Sequence, residues 1–219
     1  MNKRFSSDDQ HALLELLTHR RDVRGNRFVD APISDESLDQ ILNAATLAPS
    51  VGYSQPWEFV IIRERQTKEQ IASIFEQENA KAQTIFNSAE AGNAKAKHYA
   101  ELKLEGILAT PVNIAVFYKP RSGPVLGQTS MDEVGEYSVV CAIQNMWLMS
   151  RAMNIGMGWV SILDSEQVKR VLNAPKGHKL VAYLCLGEVD RFLDQPELEQ
   201  LKWESRKPLA SALIQERYR

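Results

Sequence analysis

The feature that most constrains the fold is a set of four short apolar runs, each separated from the next by a longer stretch of helical character. The runs are rich in β-branched and aromatic residues and cover residues 57–62, 112–118, 158–163 and 180–186. Their length and composition are typical of strands, whereas the segments between them repeat apolar residues at helical spacing. Strands that alternate with helices in this way predict an α+β chain, with a mixed β-sheet flanked by helices.

Three helical segments carry recognisable signals at their ends or along their faces. The first begins near Asp8 or Asp9, and its leucines are expected to form a buried side. The second has Ser34 at its N-cap, where a hydroxyl can accept a hydrogen bond from a free backbone N–H, and it ends at Pro49. The longest, residues 136–155, has apolar residues on more than one face, which predicts burial either centrally or in a subunit interface. The leucines of the first helix are Leu13, Leu14, Leu16 and Leu17.

Composition and charge limit the classes of function that the chain can serve. Its 219 residues are 44% hydrophobic and 25% charged, which provides enough apolar material for a sizeable core. The 26 basic and 28 acidic residues give a net charge of -2, which is not typical of a general nucleic-acid or membrane-surface binder. The chain shows no repeat and no long linker, so we expect a single domain over residues 1–219. A polar N-terminus, with no apolar run of roughly 18 residues, predicts a cytoplasmic location.

Cysteine, histidine and glycine patterns argue against several familiar sites. Cys141 and Cys185 lie in apolar runs, without metal-ligand spacing to a histidine, so we expect buried, inert thiols and no metal site. The histidines lack the context of a catalytic triad, and the sequence contains no G-x-S-x-G elbow. The glycine fingerprints of dinucleotide-binding and phosphate-binding loops are also missing.

The charged segment best suited to bind a ligand or to catalyse a reaction is residues 20–24, where three arginines and an aspartate follow the first helix. Arginine forks match phosphate oxygens in bidentate fashion, so Arg20, Arg21 and Arg24 could form a phosphate clamp. Alternatively, they are the solvated basic end of a helix, where positive charge suits the dipole. Asp22 could pair with a neighbouring arginine, or it could be a carboxylate beside a ligand, kept ionised and ready to accept a proton.

Two uncharged segments could contact a flat heterocycle. Residues 48–57 join a helix end to a strand and offer hydroxyls, an amide and backbone N–H groups, although an ordinary proline-rich turn would look the same. In residues 156–161, Gly156 and Gly158 allow a ligand to approach the backbone closely. The alternative there is a helix C-cap at Gly156 followed by a buried strand.

Two further segments have no clear periodicity. Residues 119–135 are rich in glycine and proline and are expected to form a mobile loop, either a lid or a plain surface loop. The charged end of the chain, from about residue 192 to 219, forms no obvious core of its own and is expected to be frayed unless it packs on a partner subunit.

Together these segments resemble the flavin-dependent nitroreductase family, whose members carry R-R-S-x-R near the N-terminus, A-P-S followed by Q-P-W, and a late glycine-containing segment. Here the first motif reads RRDVR, with Asp22 where the family usually has serine. The chain is most similar to the branch that fragments flavin. The matching stretches, in order between about residues 10 and 210, are RRDVR (20–24), APSVGYSQPW (48–57), KLEGI (103–107), GPVLGQT (123–129), YSVVCAIQNMWL (137–148) and IGMGWVSIL (155–163).

The resemblance implies a nitroreductase-like fold in an intertwined homodimer with two flavin sites at the interface. It implies a reaction in which reduced FMN and O2 are consumed and the flavin is fragmented to 5,6-dimethylbenzimidazole and erythrose 4-phosphate. FMN is then a substrate in its reduced form, and a separate flavin reductase is expected to supply it.

The resemblance also implies roles for individual residues. Asp22 is expected to transfer a proton near ribityl C1′, and Ser161 to orient the flavin edge or the reacting intermediate by hydrogen bonding. Arg20, Arg21 and Arg24 would hold the phosphate and ribityl oxygens, with Arg206 as a late basic residue. The expected flavin-lining residues are Val23, Ser50, Ser54, Leu104, Trp159 and Val160.

Two alternatives remain at this point. One is an NAD(P)H-dependent nitroreductase or flavin reductase on the same fold, and Asp22 in place of serine argues against it. The other is a non-catalytic flavin-binding or storage protein, for which substitution of Asp22 would change nothing measurable.

Overall fold

A computed structural model describes residues 2–88, 99, 102 and 104–218 of the chain. The polar, alanine-rich stretch from about residue 76 to 105, whose composition predicts a helix, therefore lies partly outside the described residues. The helices are α1 (Ser7–His19), α2 (Asp35–Thr46), α3 (Arg65–Ser88), α4 (Val134–Ala152), α5 (Ser165–Val171) and α6 (Glu197–Gln200). The strands are β1 (Trp57–Ile62), β2 (Val112–Tyr118), β3 (Gly156–Val160) and β4 (Lys179–Gly187). No described helix combines the length and apolar character needed to span a membrane.

The four strands form one sheet in the order β1-β2-β4-β3. Every pairing among the described strands is antiparallel, as between Trp57 and Tyr118 or between Gly158 and Cys185. The expectation of a mixed sheet is therefore wrong for the strands that the structure describes. Strands β2 and β3 do run in the same direction, but β4 lies between them and is antiparallel to both.

Helices cover both faces of the sheet. Strand β2 is almost completely buried, and its residues alternate between two cores because successive side chains point to opposite faces. Ile114 joins a core with Ile41 of α2 and Ile143 of α4. Phe117 joins a second core with Ile71 of α3. The sheet is thus sandwiched, and only the edge strands β1 and β3 can border a site that opens to the outside.

The predicted N-cap of α2 is confirmed. Ser34 caps α2 by accepting a hydrogen bond from the backbone N–H of Ser37, and Asp164 caps α5 through Gln167. Helix α1 begins slightly earlier than expected because Ser6 forms a reciprocal capping box with Asp9.

The buried leucine side predicted for α1 is wrong for the single chain. Leu13, Leu14 and Leu17 are 52%, 60% and 47% exposed. Helix α4 also keeps an exposed side that includes Tyr137, and Cys141 is exposed rather than buried. The sequence pattern correctly marked apolar faces, but no other part of the described chain covers them, as is typical of interaction surfaces.

Candidate active site

Residues 20–24 lie along the free edge of the sheet, beside β3. The backbone N–H of Val23 donates to the Met157 carbonyl at 3.0 Å, and the N–H of Trp159 donates to Asp22 Oδ1 at 3.0 Å. A Cβ on Gly158 would stand 2.1 Å from the Val23 carbonyl oxygen, so only glycine allows this approach. The close backbone approach expected at Gly158 therefore occurs, and its partner is the arginine-rich segment itself.

Asp22 lies among charged groups at the mouth of a cleft. Its side chain is 37% exposed, and Oδ2 lies 3.7 Å from Nη2 of Arg24. Desolvation raises the pKa of this carboxyl above its ordinary value, because protein surrounds the cleft even though the cleft itself is open. The hydrogen bond from Trp159 and the charges of Arg24 and Arg20 act in the opposite direction. A carboxylate with raised proton affinity and a fixed orientation is suited to accept a proton from a bound molecule.

The cleft beside Asp22 has a volume of about 190 Å³. Drug-sized ligands occupy pockets of about 300–1,000 Å³, so this cleft by itself cannot enclose a whole flavin nucleotide. It is bordered by residues 20–24 on one side and by the segment that leads into α6 on the other. Its lining residues are Arg20, Arg21, Asp22, Val23, Arg24, Arg27, Arg191, Phe192, Leu193, Pro196, Glu197 and Leu198.

Arg21 does not behave as the predicted phosphate ligand. Its side chain donates to the main-chain carbonyls of Thr18, Arg20, Leu193 and Asp194, and the residue is 9% exposed. The guanidinium is thereby committed to the end of α1 and to the segment before α6. The predicted phosphate role is corrected for this residue, because buried carbonyls use the donors that an anion would need.

Arg20 keeps its guanidinium available. The group lies 4.7 Å from the Trp147 ring centre in a cation–π contact, and no described residue pairs with it by a hydrogen bond or an ion pair. Burial lowers the pKa of both Arg20 and Arg21, and the charge of the exposed Arg206 lowers it further in each case. The charge of Arg206 thus acts on Arg20, and an anion bound by both would relieve the repulsion between them.

Residues 48–57, the second segment predicted to contact the flavin, do not border the cleft beside Asp22. The backbone N–H of Val51 donates to Ser138 Oγ of α4, and Gln55 N–H donates to Ser50 Oγ. Ser54 Oγ is buried and has no hydrogen-bond partner among the described residues. Tyr53 adopts a left-handed φ of 51°, a conformation that is uncommon for residues other than glycine.

This second segment is far from Asp22 within one chain. It leads into β1, and β1 and β3 are opposite edges of the sheet, separated by three strand spacings or about 14 Å. The same separation is seen along α4, where Ser138 contacts Val51 and Trp147 donates to the Arg21 carbonyl. These two α4 residues are nine positions apart, which is about 13 Å of helix. One chain therefore does not bring both predicted flavin contacts to one cleft.

The remaining residues predicted to contact the flavin differ in whether their side chains are accessible to a ligand. Ser161 is exposed just beyond β3, about 7 Å along the chain from Trp159, and its hydroxyl has no hydrogen-bond partner among the described residues. The Trp159 ring packs against Trp147 with ring centres 6.2 Å apart. Val160 is 4% exposed and its side chain belongs to the core under α3, so only its backbone can line a flavin. Leu104 packs against the same core and is half-buried.

The sequence reasoning missed three ionisable residues that line the cleft, Arg27, Arg191 and Glu197. Glu197 of α6 places Oε2 3.1 Å from Nε of Arg24, which is itself only 14% exposed. No motif marks Glu197, because it is one of many charged residues in a segment without periodicity. Only the fold brings it next to residues 20–24.

Comparison with known proteins identifies the family. A model of the nitroreductase family matches residues 17–188. A 5,6-dimethylbenzimidazole synthase of Rhodospirillum rubrum is 41% identical over 206 residues, covering 93% of this chain and 94% of that protein. A putative NADH dehydrogenase/NAD(P)H nitroreductase of Archaeoglobus fulgidus is 40% identical over 203 residues, covering 87% of this chain and 98% of that protein.

A solved structure supports the same conclusion for the fold. The structure of a BluB-like flavoprotein from Clostridium difficile 630 superposes with a TM-score of 0.67 at 23% identity, covering 92% of this chain and 97% of that one. The predicted nitroreductase-like fold is therefore confirmed. The chain belongs to the nitroreductase family.

Proposed function

We propose that the chain is a 5,6-dimethylbenzimidazole synthase, which fragments reduced FMN with O2 to 5,6-dimethylbenzimidazole and erythrose 4-phosphate. The observation that carries the proposal is the Asp22 carboxylate, fixed by the Trp159 N–H at the mouth of an arginine-lined cleft. The 41% identical relative of that name adds support over nearly the whole length. The similar identity to a protein named as an NAD(P)H nitroreductase makes that activity the second candidate.

The residues around the cleft suit the phosphate and ribityl part of FMN. Arg20 and Arg206 would hold the phosphate, with Arg24 beside the ribityl oxygens, since Arg20 and Arg24 line the cleft and the charge of Arg206 acts on Arg20. When bound, reduced FMN supplies both the electrons for O2 and the carbon skeleton of the product. Arg21 would act indirectly, by fixing the wall that carries Leu193.

Asp22 would accept a proton from the ribityl side of the flavin. The Trp159 N–H orients Oδ1, which leaves Oδ2 directed to Arg24 and the cleft. The raised pKa of the carboxyl makes it a stronger base than an exposed aspartate once it is ionised. Ser161, with its uncommitted hydroxyl further along the same edge, would orient the flavin by hydrogen bonding.

We also propose that the functional unit is a homodimer in which each flavin site uses both subunits. The cleft is too small for the whole nucleotide, and the buried Ser54 hydroxyl lies at the opposite sheet edge. A partner's residues 50–54 would complete the site, and the exposed leucines of α1 would be covered in the interface.

The C-terminal extension fits this arrangement in part. Leu193 and Asp194 accept hydrogen bonds from Arg21, so the start of the extension is anchored to its own subunit. Residues 205–218 are exposed throughout, and we propose that this part packs on the partner subunit. A cytoplasmic location and a separate flavin reductase remain part of the proposal.

A turnover experiment tests the function. The protein is mixed with chemically reduced FMN without oxygen, air is admitted, and the products are separated by chromatography. We expect 5,6-dimethylbenzimidazole to form only in the presence of the protein. Recovery of intact oxidised FMN would contradict the proposal. Steady consumption of NAD(P)H with added FMN would support the nitroreductase instead, and tight FMN binding without turnover would indicate a storage protein.

A further inference from the structure

Arg24 lies between two carboxylates that come from distant parts of the chain. Its Nε is 3.1 Å from Glu197 Oε2, and its Nη2 is 3.7 Å from Asp22 Oδ2. The Arg24 side chain is 14% exposed and that of Glu197 is 22% exposed, so their contact is shielded from bulk water, whereas the Asp22 side chain is 37% exposed. Shielded ion pairs of this kind fix geometry more firmly than exposed pairs do.

The position of Glu197 is well defined by its surroundings. It is the first residue of α6, directly after Pro196. Three residues earlier the chain is fastened to the segment 20–24, because Arg21 donates to the carbonyls of Leu193 and Asp194. The contact between Glu197 and Arg24 is therefore the second attachment between the same two segments.

We infer that Glu197 is a positioning residue of the proposed reaction, which directs the Arg24 guanidinium toward Asp22 and limits the positive charge that reaches this carboxylate. This inference rests on the proposed function. An Arg24 that paired with Asp22 alone would stabilise the ionised carboxylate and make it a weaker base. Sharing the guanidinium with Glu197 keeps Arg24 in place while weakening that effect.

The other groups that face Asp22 do not replace Glu197 in this respect. Arg20 and Arg24 from its own segment lower the pKa of Asp22, and so does the Trp159 N–H of β3. Cys185 of β4 also interacts with Asp22, but burial raises the pKa of its thiol so far that it stays neutral. Besides burial, Glu197 is the one group that raises the pKa of Asp22 among the causes found in the described part of the chain.

The direct test is a titration of Asp22 in the flavin-free protein by NMR with carboxyl-labelled aspartate, using Asp22→Asn to identify the signal. In Glu197→Gln the amide oxygen can still accept from Arg24, but the negative charge is gone. We expect the Asp22 signal to titrate at lower pH than in the wild type. Glu199→Gln is the matched control, because it removes one charge from the same short helix, where Glu199 contacts the Arg206 backbone. It should leave the Asp22 titration unchanged.

A second variant separates charge from shape. Glu197→Asp keeps the charge on a shorter side chain, so its Asp22 titration should return toward the wild-type position. In turnover, the low-pH limb of the rate should move to lower pH in Glu197→Gln, with kcat reduced and the affinity for FMN not weakened. An unchanged Asp22 titration in Glu197→Gln would overturn the inference. Absence of product from the wild type would instead overturn the proposed function, and the NMR comparison would still decide the role of Glu197.

Discussion

The two edges of the sheet differ in the kind of polar groups they carry and in how those groups are paired. At the β3 edge, residues 20–24 are hydrogen-bonded to the strand, and their charged side chains are paired with neighbours or stacked on Trp147. At the β1 edge, the turn before the strand has a left-handed Tyr53 and a buried Ser54 hydroxyl without a partner among the described residues. Among the described residues, the first edge is a largely paired charged site with one buried unpartnered group, Arg27 Nε, whereas the unpartnered group of the second edge is an uncharged hydroxyl.

This difference indicates how the two edges contribute to the proposed flavin site. The β3 edge supplies the phosphate-binding charge and the proton acceptor from within one chain. The β1 edge supplies uncharged donors and acceptors that suit a flat ring but lies about 14 Å away in the same chain. A second copy of the chain would bring the two kinds of edge together.

Among substitutions at the β3 edge, replacing the proposed proton acceptor Asp22 should have the largest effect on product formation. Asp22→Asn keeps an oxygen that can accept from Trp159 N–H, so the local structure and the affinity for oxidised FMN should persist. Loss of a general base typically lowers a rate by about 10²–10⁴-fold, and we expect product formation to fall by that factor. Asp35→Asn is the control, since Asp35 is 83% exposed and pairs with Arg63 away from the cleft. Near-normal turnover by Asp22→Asn would exclude the proposed role.

Substitution of Arg20 and of Arg21 should have different effects, the first on FMN binding and the second on the stability of the fold. Arg20→Ala should weaken FMN binding by about 10–100-fold, the value of a charge-assisted contact. Arg21→Ala should instead lower the free energy of unfolding by about 1–3 kcal/mol, because it leaves buried carbonyls without donors. Calorimetric titration and chemical denaturation measure the two quantities. A loss of affinity in Arg21→Ala equal to that in Arg20→Ala, without loss of stability, would restore the three-arginine clamp.

A smaller effect is expected where the arginine segment touches β3. Gly158→Ala places a methyl group 2.1 Å from the Val23 carbonyl, which should cost about 1–3 kcal/mol of stability and move Asp22 away from Trp159. Gly177→Ala is the matched control, because its new Cβ would meet nothing closer than 3.9 Å. Thermal unfolding of both variants, compared with the wild type, checks the prediction. Equal stability of the two variants would show that the backbone around Gly158 and Val23 can accommodate a methyl group without strain.

Much of the fold could be predicted because its elements are locally determined. The bounds of β1 and β2 agree with the predicted runs 57–62 and 112–118, since both are continuous and rich in β-branched residues. Strand β3 starts earlier than predicted, at Gly156, because glycine has no side chain to contribute to a pattern. The direction of neighbouring strands depends on where β4 inserts, and no local signal specifies that position.

The site was predictable only in part, for a similar reason. Residues 20–24 and Gly158 could be selected because arginines and glycines restrict the possible chemistry, but their mutual contact could not be read from the sequence. Arg21 and Arg24 look equivalent in RRDVR and have different partners in the fold. Glu197 lies at the cleft because of the position of α6, and no local signal in the sequence specifies that position.

The most direct measurement of the central claim is complementation between two inactive variants, produced together in one cell. Asp22→Asn damages the β3 edge. Gly52→Val damages the β1 edge, because Gly52 has a φ of 54° and a Cβ there would stand 2.6 Å from the Leu126 carbonyl oxygen. In a mixed dimer, one of the two sites would combine the intact edge of each chain.

We predict that the mixture forms 5,6-dimethylbenzimidazole from reduced FMN at about a quarter of the wild-type rate, because about half of the dimers are mixed and each has one intact site. A mixture of Asp22→Asn with Gly158→Val, both on the β3 edge, should not recover activity in this way. If the first mixture is as inactive as its two components while both variants form dimers, the site does not combine edges from two chains, and the proposed shared flavin site is contradicted.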